Sequence, residues 1–358
     1  MFLIQIIHLP YNLTISFSAY EDTVLQSMRT LGILSSMLVC KSLEYEKTII
    51  QQGEFMPQHV IVTPYNPTWP EIYKEEKKLL SAIVGSNLIG IYHIGSTSVP
   101  NLAAKPVIDI MITVRSLSAI DDIENLFEAA GYEALGEYGI KGRRYFRKGG
   151  EERTHQIHIF QAEDRKNIER HLAFRNYLRM NEKVRNEYEK LKTELAKKFP
   201  WDIDSYCDGK DKFIKETEEK ALAVYDPTWD KLYTAARLIQ NERVISPFVE
   251  AGTVAAALIT DNGNIYTGVC LDTACSLGMC AERNTISTMI SSGESTIKRI
   301  VITDSAGNLM LPCLACQELM MQLGKESKNT EILQDLESEK AIILGAMQPA
   351  WWGDDRYS

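Results

Sequence analysis

Residues 279–283 of the chain read MCAER, and residues 312–316 read PCLAC. The two stretches share a cysteine pattern that is better suited to holding a metal ion than to packing a core. Three thiolates can bind a zinc ion and leave its fourth tetrahedral position open for water. The sequence therefore predicts one zinc ion per chain, held by Cys280, Cys313 and Cys316.

Glu282 lies two residues after the first cysteine and is not needed as a ligand in this arrangement. Its carboxylate is suited to moving protons between the zinc-bound water and a substrate. Zinc deaminases that act on cytosine or adenine rings use such a glutamate, in one variant beside three cysteine ligands. The pattern thus predicts a hydrolytic deaminase, in which a zinc-activated hydroxide attacks the amino-bearing ring carbon.

Histidine ligands are not expected at this site. The chain has six histidines, and the last of them is His171, far from either stretch. Three thiolates and a hydroxide would make the site negative, and Arg283 could offset this charge by donating a hydrogen bond to a ligand sulfur. Cys275 offers an alternative, because a fourth thiolate would make the site purely structural.

The composition is that of a globular protein with two domains of ordinary size. The 358 residues are 45% hydrophobic and 24% charged, which is enough apolar material for two cores. The formal net charge of −9 argues against nucleic acid as a partner, because proteins that bind it usually carry a basic excess.

The cysteine distribution and the N-terminal sequence bear on location. Five of the seven cysteines fall between residues 270 and 316, and an odd, clustered set favours a metal site in a reducing compartment over a disulfide framework. No apolar run is long enough to span a membrane, and the N-terminus lacks the basic segment of a signal peptide. We therefore expect a cytoplasmic protein that does not contact membranes.

Three segments are distinguished along the chain. Residues 1–55 mix short apolar runs with scattered polar residues and are predicted to be a leader of uncertain structure. A more coherent passage begins at Met56, which suggests the hypothesis that translation starts there. Residues 56–224 and 225–358 are predicted to form the two domains.

Hydrophobic periodicity predicts the secondary structure of both domains. In the first domain, strands are expected at residues 58–63, 88–94, 106–114 and 154–160, and helices at 70–84, 117–131 and 164–199. In the second domain, strands are expected at residues 253–260, 265–271 and 299–303, and helices at 228–241, 280–290 and 313–323.

Four stretches of the first domain resemble the GrpB-like family. They read HIGSTSVP at 93–100, AAKPVIDI at 103–110, GRRYF at 142–146 and THQIH at 154–158. The resemblance covers about residues 57–224 and implies a nucleotidyltransferase-like α/β fold. In that superfamily a Gly-Ser turn holds a nucleotide triphosphate, and two or three carboxylates hold magnesium.

Carried over by position, this resemblance implies a nucleotide site at Gly95, Ser96 and Asp109. Arg144, in a basic loop, could add a contact to phosphate. The second carboxylate falls on Met111, so a single carboxylate is left for a magnesium ion. The turn at Gly95 and Ser96 could equally be only a tight connection between two strands.

The second domain resembles the cytidine deaminase family over about residues 228–353. Its strongest matches are CAERN at 280–284 and PCLAC at 312–316. The resemblance implies a sheet sandwiched between helices, with the zinc at two helix N-termini. It also implies a homo-oligomer, a dimer or tetramer, that deaminates a nucleoside or base in pyrimidine salvage.

By position, the resemblance gives the three cysteines the zinc and Glu282 the proton transfer, and places the Ala281 backbone near the substrate ring. The family's Asn-x-Glu, which grips the ribose hydroxyls, falls on Cys270 and Asp272. A thiol cannot replace the paired donor and acceptor of an amide. Deamination is therefore a firmer expectation than cytidine as the substrate.

The expected fold class is α/β, with a nucleotidyltransferase-like α/β domain followed by a three-layer α/β/α domain. Two other functions stay open beside deamination. Residues 56–224 could transfer or bind nucleotides while the second domain holds a structural zinc. Alternatively, the first domain is not an enzyme and only tunes the second by binding a nucleotide or another protein.

Overall fold

The computed structural model describes residues 59–150 and 152–357. The expected leader at 1–55 and the hypothetical start at Met56 lie outside these residues. The described residues fall within one compact unit, Pro57–Ser358. They form two separate β-sheets covered by helices, which confirms the α/β class. The boundary at residue 225 stays a prediction.

The first sheet has five strands in the order β1-β2-β5-β4-β3. These strands are β1 (Leu88–Ile94), β2 (Ile108–Val114), β3 (Tyr132–Ala134), β4 (Arg143–Lys148) and β5 (His155–Gln161). β2 and β5 run parallel, whereas all other neighbours in this sheet are antiparallel. β1 is buried along its whole length and β2 along nearly all of it, as expected for strands made of almost continuous apolar residues.

Six helices accompany this sheet. They are α1 (Trp69–Val84), α2 (Ser118–Asp121), α3 (Glu124–Ala129), α4 (Arg165–Met180), α5 (Glu182–Lys198) and α6 (Ile203–Val224). The single helix expected at 164–199 is therefore wrong. Asn181 leaves helical geometry, with φ −112° and ψ 89°, and its side-chain amide donates to the carbonyl of Tyr177 at 3.0 Å. The same carbonyl accepts the main-chain N–H of Asn181 at 2.9 Å, so the side chain adds a second donor where α4 ends.

Two other expectations for the first half also differ from the structure. The helix expected at 117–131 is interrupted at Ile123, where φ is −114° and ψ is 16°. The strand expected at 58–63 is absent from residues 59–63, where Thr63 makes only an isolated bridge to Ala104. Pro64 follows directly, and it has no N–H group to extend a ladder.

The second sheet is organised around one long strand. Its strands are β6 (Arg243–Ser246), β7 (Val249–Ile259), β8 (Ile265–Thr273), β9 (Arg299–Thr303), β10 (Glu331–Asp335) and β11 (Lys340–Ile343). β8 pairs along one edge of β7, while β6 and β9 share the other edge. β10 and β11 continue the sheet beyond β9.

Helices pack on both faces of this second sheet. They are α7 (Thr228–Ile239), α8 (Ala281–Ser291), α9 (Leu314–Met321) and the short α10 (Leu344–Met347). Ala255 and Ala257 of β7 face α7, whereas Ala256 and Leu258 face α8 and α9. This alternation is the two-residue period of a strand buried on both sides, and it gives the expected three layers.

None of the helices in the described ranges combines the length and the apolar character needed to cross a membrane.

Buried polar groups join the two halves of the chain. Asp230, in the first turn of α7, is 4% exposed and accepts a hydrogen bond from the Tyr92 hydroxyl at 2.6 Å. The guanidinium of Arg165, in α4, pairs with the same carboxylate. Arg115 donates to the main-chain carbonyl of Leu238 at 2.7 Å and so caps the C-terminal end of α7.

Glu337, in the turn between β10 and β11, makes a second link. Its Oε2 lies 2.8 Å from Nη1 of Arg175, a side chain that is 2% exposed. Its Oε1 accepts hydrogen bonds from the main-chain N–H of His93 at 3.0 Å and from the Tyr73 hydroxyl at 3.3 Å. Arg179 donates to its main-chain carbonyl at 2.7 Å. One carboxylate thus satisfies three donors from the first half.

His93 makes the stability of this region sensitive to acid. Burial, followed by the charges of Arg179 and Arg175, lowers its pKa to about 3. Below pH 6.5 the unfolded chain binds a proton at this residue and the folded chain does not. The free energy of unfolding should therefore fall as the pH drops from 6.5 towards 3, by about 1.4 kcal/mol per pH unit from His93 alone. His158 and His171, whose pKa values burial also lowers, add to this slope, so removal of His93 should reduce it and not abolish it.

Urea unfolding between pH 6.5 and 5 measures this slope. His93→Gln should reduce it, because glutamine does not titrate and can still hydrogen-bond Thr97, whose hydroxyl lies 3.0 Å from the His93 ring nitrogen. His59→Gln, a substitution at an exposed position, is the control and should retain the slope. An unchanged slope in His93→Gln would contradict the prediction.

Candidate metal centre and a second pocket

Two of the predicted zinc ligands stand immediately before helices. Cys280 precedes α8 with φ −61° and ψ 151°, and Cys313 precedes α9 with φ −66° and ψ 163°. This extended geometry is typical of a residue that caps a helix N-terminus. The partial positive charge at each N-terminus favours a thiolate over a thiol. Cys316 lies one turn into α9 and is fully buried.

The three sulfurs converge. Sγ of Cys280 lies 3.8 Å from Sγ of Cys313, which in turn lies 3.5 Å from Sγ of Cys316. All three atoms lie within 4.8 Å of one another, so the group could hold a metal ion. Cys275 is exposed and does not belong to this group within the described ranges. The four-thiolate alternative therefore gains no support.

Neighbouring groups shift the pKa values of the Cys313 and Cys316 thiols in opposite directions. Nη2 of Arg283 lies 3.9 Å from Sγ of Cys280, and this contact raises the pKa of the guanidinium. Burial opposes ionisation of the Cys313 thiol, but hydrogen bonds from Cys316 and Cys280 outweigh it and lower its pKa. Burial, followed by the charge of Glu282, raises the pKa of the Cys316 thiol. The predicted role of Arg283 as a partner of a ligand sulfur agrees with this geometry.

Glu282 lies in the first turn of α8 and is 4% exposed. Glu282 lines a cavity of about 390 Å³ together with Cys280, Cys313 and Ala281. Ala281 is the residue whose backbone was predicted to lie near the substrate ring. A buried carboxylate beside a group of sulfurs is in position to exchange protons with a molecule in that cavity.

Part of the lining of this cavity is polar. Thr253, Cys270 and Asp272 all line it, so the structure brings the predicted substrate-binding pair to the same space as the sulfurs. The Thr253 hydroxyl oxygen lies 2.9 Å from Sγ of Cys270, and the hydroxyl donates to Oδ2 of Asp272 at 3.3 Å. Thr253 is part of this network, and no motif in the sequence marks it.

The residues predicted for a nucleotide site form part of a second cavity. Gly95, Ser96 and Asp109 line a space of about 450 Å³ in the first half of the chain. Gly95 has φ 68°, and a Cβ atom built there would lie 2.2 Å from Oδ2 of Asp109, so only glycine fits against this carboxylate.

Two residues weaken the expectation of magnesium-dependent transfer in this second cavity. Arg144 does not line it, because its guanidinium pairs instead with the Asp121 carboxylate at 2.5 and 2.8 Å. Met111 is completely buried among apolar side chains, so no second carboxylate accompanies Asp109 on β2. Sequence reasoning also missed Lys192 and Lys210, because both lie in helices rich in charged residues, where a single lysine does not indicate a buried position.

Different known proteins are similar to the two halves of the chain. A family model described as "GrpB protein" matches residues 59–220. The UPF0157 protein YqkA of Bacillus subtilis is 40% identical over 210 residues, and this match spans 59% of this chain and 58% of YqkA. The glutamate-rich protein GrpB of Alkalihalophilus pseudofirmus is 36% identical over 162 residues, which are 44% of this chain and 92% of that protein.

Two solved structures are similar to different parts of the chain. A crystal structure of GrpB from Enterococcus faecalis is 49% identical, with 46% of this chain and 98% of that chain covered, at a TM-score of 0.45. A crystal structure of cytidine deaminase from Mycobacterium tuberculosis is 23% identical, with 36% of this chain and 99% of that chain covered, at a TM-score of 0.31.

Proposed function

Because the chain belongs to the GrpB family through residues 59–220, and the three-sulfur group lies outside that range, we propose a separate activity for residues 225–357. In this proposal they form a zinc-dependent aminohydrolase that deaminates cytidine or a related nucleoside or base. The observation that carries it is the position of Glu282 on the wall of one cavity with Cys280 and Cys313, two members of the three-sulfur group.

The donor set fits zinc. Tetrahedral coordination with Zn–S bonds of about 2.3 Å requires sulfurs about 3.8 Å apart. The two measured separations, 3.8 and 3.5 Å, are close to this value before any ion is placed. Thiolates are soft ligands that favour zinc over magnesium or calcium. When bound by these three cysteines, zinc would supply a Lewis acid that makes water nucleophilic at neutral pH.

The residues of the chain then account for the proton movements. Glu282 would take a proton from the attacking water and deliver it to the ring nitrogen, and a second transfer would protonate the departing amine. A carbon–oxygen bond forms, the carbon–nitrogen bond breaks, and the nitrogen leaves as ammonia. Arg283 would stabilise the negative sulfurs during these steps through its contact with Cys280.

The shape and polarity of the cavity support a heterocycle that carries a hydroxylated substituent. Ile302, Met310 and Leu311 supply apolar lining near the sulfurs. Asp272 and Thr253 could hydrogen-bond hydroxyl groups at the polar wall, whereas the Cys270 thiol is a weak donor. Cytidine is therefore one candidate among nucleosides and bases. The homo-oligomeric state and the cytoplasmic location stay predictions.

Ammonia release by the purified full chain tests this proposal. The panel should contain cytidine, deoxycytidine, cytosine, a blasticidin-type nucleoside and guanine, and zinc should be measured in the same sample. We expect one zinc ion per chain and turnover of at least one panel member. Turnover should disappear after chelation and return when zinc is restored.

Cys313→Ser is the matched variant, because it removes one ligand and leaves the fold of the first half unaffected. It should lose both zinc and turnover. One zinc ion per chain with no turnover of any panel member would contradict the proposal and favour a structural zinc site.

A further inference from the structure

The cavity around Asp109 carries an excess of positive charge. Its charged lining consists of four basic side chains and two carboxylates, namely Lys105, Arg153, Lys192, Lys210, Asp109 and Asp204. The chain as a whole has a net charge of −9. A concave site that collects cations within an acidic protein is suited to a small anion, because its walls focus the positive potential.

Lys192 is the most deeply placed of these cations. Lys192 is 2% exposed. Its Nζ atom donates to the carbonyl of Ala103 at 2.5 Å and lies 4.6 Å from the ring centroid of Tyr188. The carboxylates of Glu189 and Asp109 offset its charge only in part. Burying an ammonium is costly, and burial together with the charge of Lys210 lowers its pKa to about 7.

Lys105 and Lys210 approach the same aromatic ring. Their Nζ atoms lie 5.5 and 4.2 Å from the ring centroid of Tyr206. Burial lowers the pKa of both ammonium groups, and the charge of Lys105 lowers that of Lys210 further. The carboxylate of Asp109 opposes these shifts and helps to keep both lysines protonated. The four cations of the cavity thus outnumber its two carboxylates, and a bound anion would neutralise the remaining positive charge.

The aromatic side chains of the cavity are already engaged. Tyr188 stacks on Phe213 with ring centroids 5.1 Å apart, and Tyr138 stacks on Tyr145 at 5.0 Å. The lysines lie against the rings of Tyr188 and Tyr206. These rings already have partners within the protein, whereas the cavity carries an excess of cationic groups, which favours recognition of charge.

The same charges disfavour a divalent cation. Three ammonium groups interact electrostatically with the single carboxylate on β2, and the residue two positions after Asp109 is the buried Met111. A dication would be repelled by the lysines and would find no second carboxylate on this strand. The ammonium groups of the lysines can neutralise the charge of a phosphate group, as a metal ion does in other sites.

We propose that this cavity binds a phosphorylated small molecule directly through Lys105, Lys192 and Lys210, without a divalent cation. Its volume of about 450 Å³ accommodates a pyrophosphate group with part of a carrier. Ammonium groups that face phosphate oxygens make charge-assisted hydrogen bonds, which are stronger than those between neutral groups.

Calorimetric titration of the full chain with inorganic pyrophosphate in the presence of EDTA tests the proposal. We expect binding, and we expect Lys105→Gln and Lys210→Gln each to weaken it by about tenfold or more. Lys212→Gln, at a position on α6 whose side chain is 89% exposed, is the matched control and should bind like the native chain. Lys192→Gln should also weaken binding, but Lys105 and Lys210 carry the test if this variant does not fold.

Asp109→Asn separates direct binding from metal-bridged binding. If the lysines hold the anion, removal of a negative group should leave pyrophosphate affinity equal or higher. Binding that requires magnesium and disappears in Asp109→Asn would overturn the proposal. It would also be overturned by an absence of binding in EDTA, or by an equal loss of affinity in Lys212→Gln.

Discussion

Glu282→Gln should strongly slow ammonia release while leaving the zinc content at one ion per chain. Glutamine has nearly the same shape and can hydrogen-bond, but it cannot accept and return a proton at neutral pH. Positioned acid–base groups contribute about 10²- to 10⁴-fold to a rate, so we expect the turnover number to fall by that factor. Zinc should remain because Glu282 is not one of the three sulfur donors.

The comparison requires ammonia release and metal content to be measured on the same preparations. Glu242→Gln changes an exposed glutamate between α7 and β6 in the same way, and it should leave both quantities unchanged. If Glu282→Gln retains turnover, the proposed proton path is wrong. If the variant loses zinc, the carboxylate acts at the metal and not only on the substrate.

Glu337→Ala should lower the free energy of unfolding by about 3–5 kcal/mol, which is the usual cost of breaking a buried ion pair from one side. The change leaves the Arg175 guanidinium, 2% exposed, without its carboxylate. It also removes the acceptor of the His93 main-chain N–H and of the Tyr73 hydroxyl. Unpaired buried donors lose their interaction with water and gain nothing in return.

Urea denaturation gives the measurement. Glu337→Gln should fall between the native chain and Glu337→Ala, because the amide still accepts hydrogen bonds but carries no charge. Glu326→Ala replaces an exposed glutamate in the same half of the chain and should change stability by less than about 0.5 kcal/mol. Equal midpoints for Glu337→Ala and Glu326→Ala would show that the link contributes nothing.

The members of the three-cysteine group could be predicted because each of their two motifs is local. Cys313 and Cys316 lie three residues apart at one helix start, and Cys280 and Glu282 lie at another. The contact between the two helix starts, 33 positions apart, was implied only by the family resemblance. Strand β1 was likewise predicted with its observed bounds, because its side chains are almost all apolar. Short-range rules are sufficient for such features.

Features that depend on distant contacts could not be predicted in this way. Lys192 and Lys210 appear as ordinary members of charged helices, and only the packing of α5 and α6 places them around Asp109. Glu337 lies in a polar turn whose sequence gives no sign of Arg175, 162 positions earlier. Asn181 illustrates a third case, because a single capping residue divides a helix whose flanks both favour helix formation.

The position of Asp230 between the two halves also has a consequence for biosynthesis. Asp230 accepts a hydrogen bond from the hydroxyl of Tyr92, which lies 138 positions earlier in the chain. At a synthesis rate of about 5–20 residues per second, the ribosome needs roughly 7–30 s to add the intervening residues. Tyr92 has been made throughout this interval and Arg165 for its last 65 residues, but their shared carboxylate has not. This buried link of the first half can therefore form only after the start of α7 has been synthesised.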